Sequence, residues 1–204
     1  VAREGEADAI GDGSALFDAS GELIQINETA VLNNIFEKGG TVSMWVNIDT
    51  AGESTSGRYI DKSDSNGWRM ENIALSGTNG GVKFICFWDG TNHSAYTGTV
   101  IPVGEWTHLA ITYDASSTSN NAIVYVNGIV QSLTTEAPTG SLDSDSSSTI
   151  YIGNRDDGAR TYDGSMSQVG LWKGALTQAQ IQSVMESTSY ATIPASVKST
   201  LGAE

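Results

Sequence analysis

Few residues in this chain are equipped for covalent or acid–base chemistry: two histidines (His93 and His108), one cysteine (Cys86), and carboxylates scattered through polar loops. The stretch IPVGEWTHLAITYD, residues 101–114, sets His108 between Trp106 and Tyr113, with Asp114 closing the run. A base in an aromatic cleft would look like this, and so would the middle of a strand. Strict alternation favours the strand, with Leu109, Ile111 and Tyr113 on one face and Trp106, His108, Ala110 and Thr112 on the other. A nucleophilic triad also needs its nucleophile on a sharp turn, and the sequence has no G-x-S-x-G elbow. Cys86 falls in the alternating run Val82, Phe84, Cys86, Trp88, where a thiol packs as a small inert group. His108 and Cys86 therefore read as structural.

Carboxylate chemistry fares no better. Retaining glycoside hydrolysis uses two carboxylates about 5–5.5 Å apart. Glu4 and Glu6 lie in an N-terminal arm, Asp143 and Asp145 in a Ser-rich loop with no aromatic neighbour, and Asp61 and Asp64 are spaced for a turn. Two histidines and one cysteine without ligand spacing do not make a transition-metal site. The acidic pairs Asp143/Asp145 and Asp156/Asp157 read as solvated loops rather than calcium cages.

Recognition of sugars remains, since sugar rings stack on aromatic faces while amides, carboxylates and arginines bond the hydroxyls. Trp88 ends an apolar run and leads into WDGTNHSAYTG, so Trp88, Asp89, Asn92, His93 and Tyr96 form one candidate subsite. The loop GNRDDGARTYDG supplies a second through Asn154, Arg155, Arg160 and Tyr162. Its arginines could grip a uronate or sulfate bidentately, or be closed by the adjacent aspartates.

The elements that must carry these loops are strands. TVSMWVNI alternates, placing Val42, Met44, Val46 and Ile48 together, and Asn127-Gly128 sits between two β-branched runs as a hairpin turn. STIYIGN adds a strand ending at a Gly-Asn turn. One helix is expected in LTQAQIQSVMES, with Thr177 and Gln180 as a capping box and Leu176, Ile181, Val184 and Met185 as its apolar stripe. Trp172 should pack beneath it. A further helical turn is expected after Pro194, and SLDSDSSST (141–149) reads as an exposed loop. With no repeat and no long linker, the chain reads as a single domain, 1–204, with its core in 12–186, an arm in 1–11 and a tail in 187–204.

Composition narrows the partners. Twenty-four Asp and Glu against 10 Lys and Arg give a net charge of −14, which repels phosphate backbones and anionic headgroups, so nucleic acid is not an expected partner. No apolar run suffices to span a bilayer, so membrane insertion is not expected, and VAREGEADAIGDGS lacks the charged start and apolar core of a signal peptide. Starting at Val1, the chain suits a processed product or an excised fragment. A lone cysteine forms no internal disulfide, which does not exclude an extracellular home.

The order of SALFDASGELIQI, TVSMWVNI, GRYIDKSDSNGWRM, VGEWTHLAITYD, AIVYVNG, STIYIGN and YDGSMSQVGLWKGALTQAQI resembles the laminin G-like and pentraxin-like domains of the concanavalin A-like lectin/glucanase superfamily. The resemblance implies an all-β jelly-roll sandwich of two antiparallel sheets with its first and last strands adjacent. It also implies that Trp45, Trp68, Trp106 and His108 belong to the framework. Many relatives bind calcium at the rim through the Asp of F-D-x-S-G, here Asp18, and an acidic residue in the closing strand. Ser167 stands where that second acid is common. The Glu-x-Asp-x-x-Glu run of the superfamily's glucanases is missing from this sequence.

The expectation is thus a non-catalytic module for glycans or glycosylated surfaces, at home outside the cell or on a particle or cell surface. The alternative is a structural or surface-decoration protein that uses the sandwich for protein contacts, homo-oligomeric or within a larger assembly. A divergent polysaccharide-degrading enzyme comes third, and a close carboxylate pair on the concave face would strengthen it.

Overall fold

A computed structural model of the 204-residue chain describes residues 13–63, 66–76 and 79–198. The N-terminal arm with Glu4 and Glu6, Asp64, and the last residues of the tail lie outside the described residues. In chain order the first strands are β1 (Ala15–Phe17), β2 (Ile24–Ile26), β3 (Gly40–Ile48), β4 (Arg58–Lys62) and β5 (Trp68–Ser76). Then follow β6 (Asn79–Cys86), β7 (His93–Tyr96), β8 (Ile101–Pro102), β9 (Thr107–Tyr113) and β10 (Ile123–Val126). The last are β11 (Ile129–Val130), β12 (Thr134–Glu136), β13 (Ile150–Ile152) and β14 (Gly164–Trp172), before helices α1 (Gln178–Met185) and α2 (Ala195–Lys198).

The strands form two antiparallel sheets. One has six strands in the order β1-β14-β3-β9-β10-β11; the other has eight, in the order β12-β7-β6-β5-β4-β13-β2, with β8 also pairing β6. The first and last strands are neighbours, as Phe17 pairs with Gly164. Alternation fills the space between the sheets: Val42, Met44, Val46 and Ile48 from β3 and Val82, Phe84 and Cys86 from β6 are all buried. Phe36 is a hub there, with its ring edge-on to Trp68 (5.2 Å) and Phe84 (5.1 Å).

The outer face of the six-stranded sheet is covered. Ala110, Tyr125 and Trp172 form a second apolar cluster with Leu176, Ile181 and Val184 of the helix segment and Val197 of α2. Thr177 and Gln180 close the capping box reciprocally, and Met185 is half-buried. Asn127 and Gly128 both have positive φ (49° and 71°), the backbone that a two-residue hairpin of this hand requires.

Two expectations change. Trp68 is core, but Trp45 and Trp106 are only half-buried. In a two-faced strand Trp45 follows the inward Met44, so its ring lies outside, edge-on to His108 at 5.3 Å. Nor is 141–149 simply an exposed loop. Asp145 is 3% exposed, and its carboxylate accepts from Lys62 Nζ (2.6 Å), Trp68 Nε1 (3.1 Å) and the Asn34 amide (2.6 Å). Lys62 Nζ also reaches the carbonyls of Leu32 (3.1 Å) and Asp145 (2.9 Å), so the pair is hydrogen-bonded on every side and ties two loops to the end of β4. An aromatic neighbour for Asp145 thus exists, supplied by tertiary structure rather than by the loop.

Candidate functional site

Both α-helices sit on the six-stranded sheet, and among the described residues no α-helix covers the outer face of the eight-stranded one. Its register arranges side chains in rows. Tyr151, Asp61, Arg69, Ile85 and Ser94 pair across β13, β4, β5, β6 and β7. Arg58, Glu71, Lys83 and Tyr96 form the next row across β4, β5, β6 and β7. Trp68 and Met70 turn inward on β5, so Arg69 and Glu71 must turn outward.

The lowest layer of this face is ionic. Arg58 Nε donates to Asp61 Oδ2 at 3.0 Å and its Nη1 to Glu71 Oε2, with all three residues buried. Burial lowers the Arg58 pKa to about 10, and the like charge of Arg69 adds to that, yet Arg58 stays charged at neutral pH. Burial raises the Asp61 carboxyl above its ordinary range, against the pull of hydrogen bonds from Ser63 and the charge of Arg58. Above this layer, Arg69 donates from Nε to Glu71 at 3.1 Å and lies 5.2 Å over the Phe87 ring. Lys83 Nζ stands 4.0 Å from Glu71 Oε1. Tyr96 is 40% exposed beside it.

The first predicted loop is divided by this geometry. Trp88 is 6% exposed and belongs to the core between the sheets, so its ring is not a stacking surface. His93 is fully buried, stacked on Tyr113 at 4.5 Å and bonded through Nδ1 to the Glu136 carbonyl and through Nε2 to the Ala122 amide. Asn92 accepts from the Trp88 amide and Asp89 from the Ser141 amide, both bracing the loop. Tyr96 alone of the five faces outward on the open sheet.

The second loop divides likewise. Asn154 is buried, donating to Glu22 O, Gly158 O and Thr161 Oγ1 and accepting from the amides of Arg155 and Arg160. Tyr162 is buried and donates to Asn47 O at 2.8 Å. These two organise the turn. Arg155 is closed bidentately by Asp157 (2.6 and 2.5 Å). The Arg160 carbonyl accepts from the Arg58 amide, which brings Arg160 against the ionic row, and its Nε is buried without a partner among the described residues.

Arg58, Asp61, Arg69, Glu71 and Lys83 were not singled out as site residues. The alternation in GWRMEN carries the signal for two of them. The joining of β4 to β5 is tertiary and leaves no spacing to read.

At the rim, Asp18, Glu53, Thr161 and Asp163 line a pocket of about 190 Å³. Ser167 is not in it: its hydroxyl donates to Gly13 O at 2.7 Å, further along the β1–β14 pair. Asp163 stands beside Asp18 in that pocket. Glu53 already accepts from Ser20 and Thr161, and Asp163 from Thr50. Calcium wants six or more oxygens, so those bonds would have to be shared. Among the described residues no three His, Cys, Asp or Glu side chains are grouped to hold a metal.

Fold and site together define a β-sandwich with one covered sheet and one open, polar sheet face. A laminin G family model, described as the concanavalin A-like lectin/glucanases superfamily, matches residues 18–182, and the chain belongs to that superfamily. No curated protein sequence matches it. Solved structures similar to it include the native heptameric SAP-like pentraxin of Limulus polyphemus, at 17% identity over 79% of this chain and 80% of that one, TM-score 0.56. Another is domain 4 of an extracellular arabinanase from Geobacillus stearothermophilus, in complex with arabinotriose (19% identity, 90% and 80% covered, TM-score 0.55). A third is the receptor binding domain of a botulinum neurotoxin C/D mosaic serotype (18% identity, 90% and 45% covered, TM-score 0.61). At these identities the likeness is one of fold.

Proposed function

We propose that the chain is a non-catalytic recognition module that holds a saccharide on the outer face of its eight-stranded sheet. The observation that carries this reading is the row Tyr96–Lys83–Glu71–Arg58, where an exposed ring stands beside donors fixed by buried carboxylates on the face left free of helices. Aromatic surface with convergent polar groups is what a sugar subsite needs. The solved arabinanase domain carries arabinotriose on the same fold, which supports the reading as analogy.

Asp61 and Glu71 are a carboxylate pair on an open sheet face, but both are spent on Arg58 and sit beneath the exposed layer. They therefore act as counter-ions that set the arginines.

A glycan array on the purified chain, run with calcium and then with EDTA, tests the reading. Binding is expected, and Tyr96→Ala should weaken it at least about tenfold with little change in melting temperature. Loss only in EDTA would bring the Asp18 rim into the site. Silence on the array, or indifference to Tyr96→Ala, would defeat the sheet-face reading. In that case contact between proteins gains weight, and Ile123 (40%), Ile129 (62%) and Val130 (49%), exposed at the β10–β11 edge, are the surface for it.

A further inference from the structure

We infer that the saccharide held by this face is anionic, a uronate- or sulfate-bearing chain whose acidic groups meet Arg69, Lys83 and Arg160. This rests on the sheet-face reading above and adds the ligand's charge.

The distribution of cations is the first observation. Of the 10 Lys and Arg in a chain of net charge −14, five gather at this face or its border: Arg58, Arg69, Lys83, Arg155 and Arg160. Arg155 is cancelled by Asp157. Arg58, Arg69 and Lys83 meet Asp61 and Glu71 at the centre of the face, and Glu136, beside Ser94 at the far end of the Arg69 row, balances the third charge, so the cations are concentrated rather than in excess.

Layering is the second. The two carboxylates are 5% and 9% exposed as side chains, while Arg69 and Lys83 are 23% and 34% exposed. Over Asp61 and Glu71 a ligand arriving from solvent therefore meets cations first, with Glu136 exposed to one side at the β12 edge.

Orientation is the third. Glu71 takes the Nε of Arg69 and Phe87 supports its plane, while Nη1 and Nη2 have no hydrogen-bond partner among the described residues. A guanidinium fixed on one edge and open on the other is arranged for bidentate contact with a carboxylate or sulfate. Burial lowers the Arg69 pKa, with Asp61 opposing that shift and the neighbouring arginines adding to it. From Tyr96 to Arg58 the row crosses three strand spacings, about 14 Å, which gives room for several sugar units.

Titration calorimetry with oligogalacturonate, its fully methyl-esterified and so neutral counterpart, and a sulfated oligosaccharide tests this. The free acid should bind about tenfold or more tighter than the ester, as one charge-assisted contact requires. Arg69→Gln should bring acid and ester close together, and Lys83→Gln provides the same test should the first variant fold poorly. Preference for the sulfated chain would name sulfate rather than carboxylate as the partner group. Equal binding of acid and ester, unmoved by either variant, would overturn the anionic inference and leave the sheet-face reading standing. No binding by any of the three, nor by neutral sugars on the array, would overturn both.

Discussion

His108 is sealed on β9, 1% exposed, with Nε2 2.9 Å from Ser43 Oγ and Nδ1 buried without a partner among the described residues. Protonation would put a charge and an unbonded N–H into that site, and burial accordingly lowers its pKa to about 4. The unfolded chain, with an ordinary pKa near 6.5, takes up the proton first. Its contribution is whole above about pH 6.5 and is lost as pH falls toward about 4, by roughly 3 kcal/mol over that window. Urea unfolding of the wild type and His108→Gln at several pH values should show this slope in the first and a shallower one in the second, where His93, its pKa also lowered by burial, still contributes. A parallel pair of curves would mean that the ring is not sealed. Asp145 makes the matching case for a buried ion pair, 2.6 Å from Lys62 Nζ. Asp145→Ala should cost about 3–5 kcal/mol because Lys62 is left buried and unpaired, while Lys62→Met with Asp145→Leu should recover most of it. An unchanged denaturation midpoint in the single variant would show that the pair is solvated.

Elements of the sandwich were readable wherever period and turn chemistry act locally. The β3 and β6 alternations, the Asn127-Gly128 hairpin and the Thr177 cap all depend on neighbours within a few residues. The candidate site was not readable in that way. Trp88 and Tyr96 flank one loop, and only the direction of each strand decides that the first ring enters the core and the second leaves it. Arg58 and Glu71 are 13 residues apart and meet through the β4–β5 register. Which sheet stays open depends on where α1 docks, itself a matter of Trp172 and Tyr125 lying on the outer face of the other sheet. Thr177→Ala should therefore weaken that cover, lowering stability by about 1 kcal/mol and increasing hydrogen exchange across α1 first. Exchange rising equally in β5 and β6 would show that the helix is part of one cooperative unit with the open sheet. Trp88→Ala should instead cost about 3–5 kcal/mol, the loss of a core aromatic. A melting temperature close to wild type would return Trp88 to the list of surface rings.

Net charge acts on the chain in two opposed ways. At −14 the folded molecule repels itself, so raising salt from about 10 mM to about 0.15 M, which shortens the screening length from roughly 30 to roughly 8 Å, should stabilise it. A gain of about 1 kcal/mol would raise the melting temperature by about 2–4 °C in a domain of this size. An acidic saccharide feels the same long-range repulsion on approach and the short-range attraction of Arg69 and Lys83 once docked. Salt should then speed its association, by screening the first, and also speed its dissociation, by weakening the second. Stopped-flow mixing at the two salt concentrations separates the two rates. A neutral saccharide on the same face should show neither change. A ligand whose association slows with salt would instead be attracted from a distance, and on a chain of this charge that would mark a cation rather than an acid.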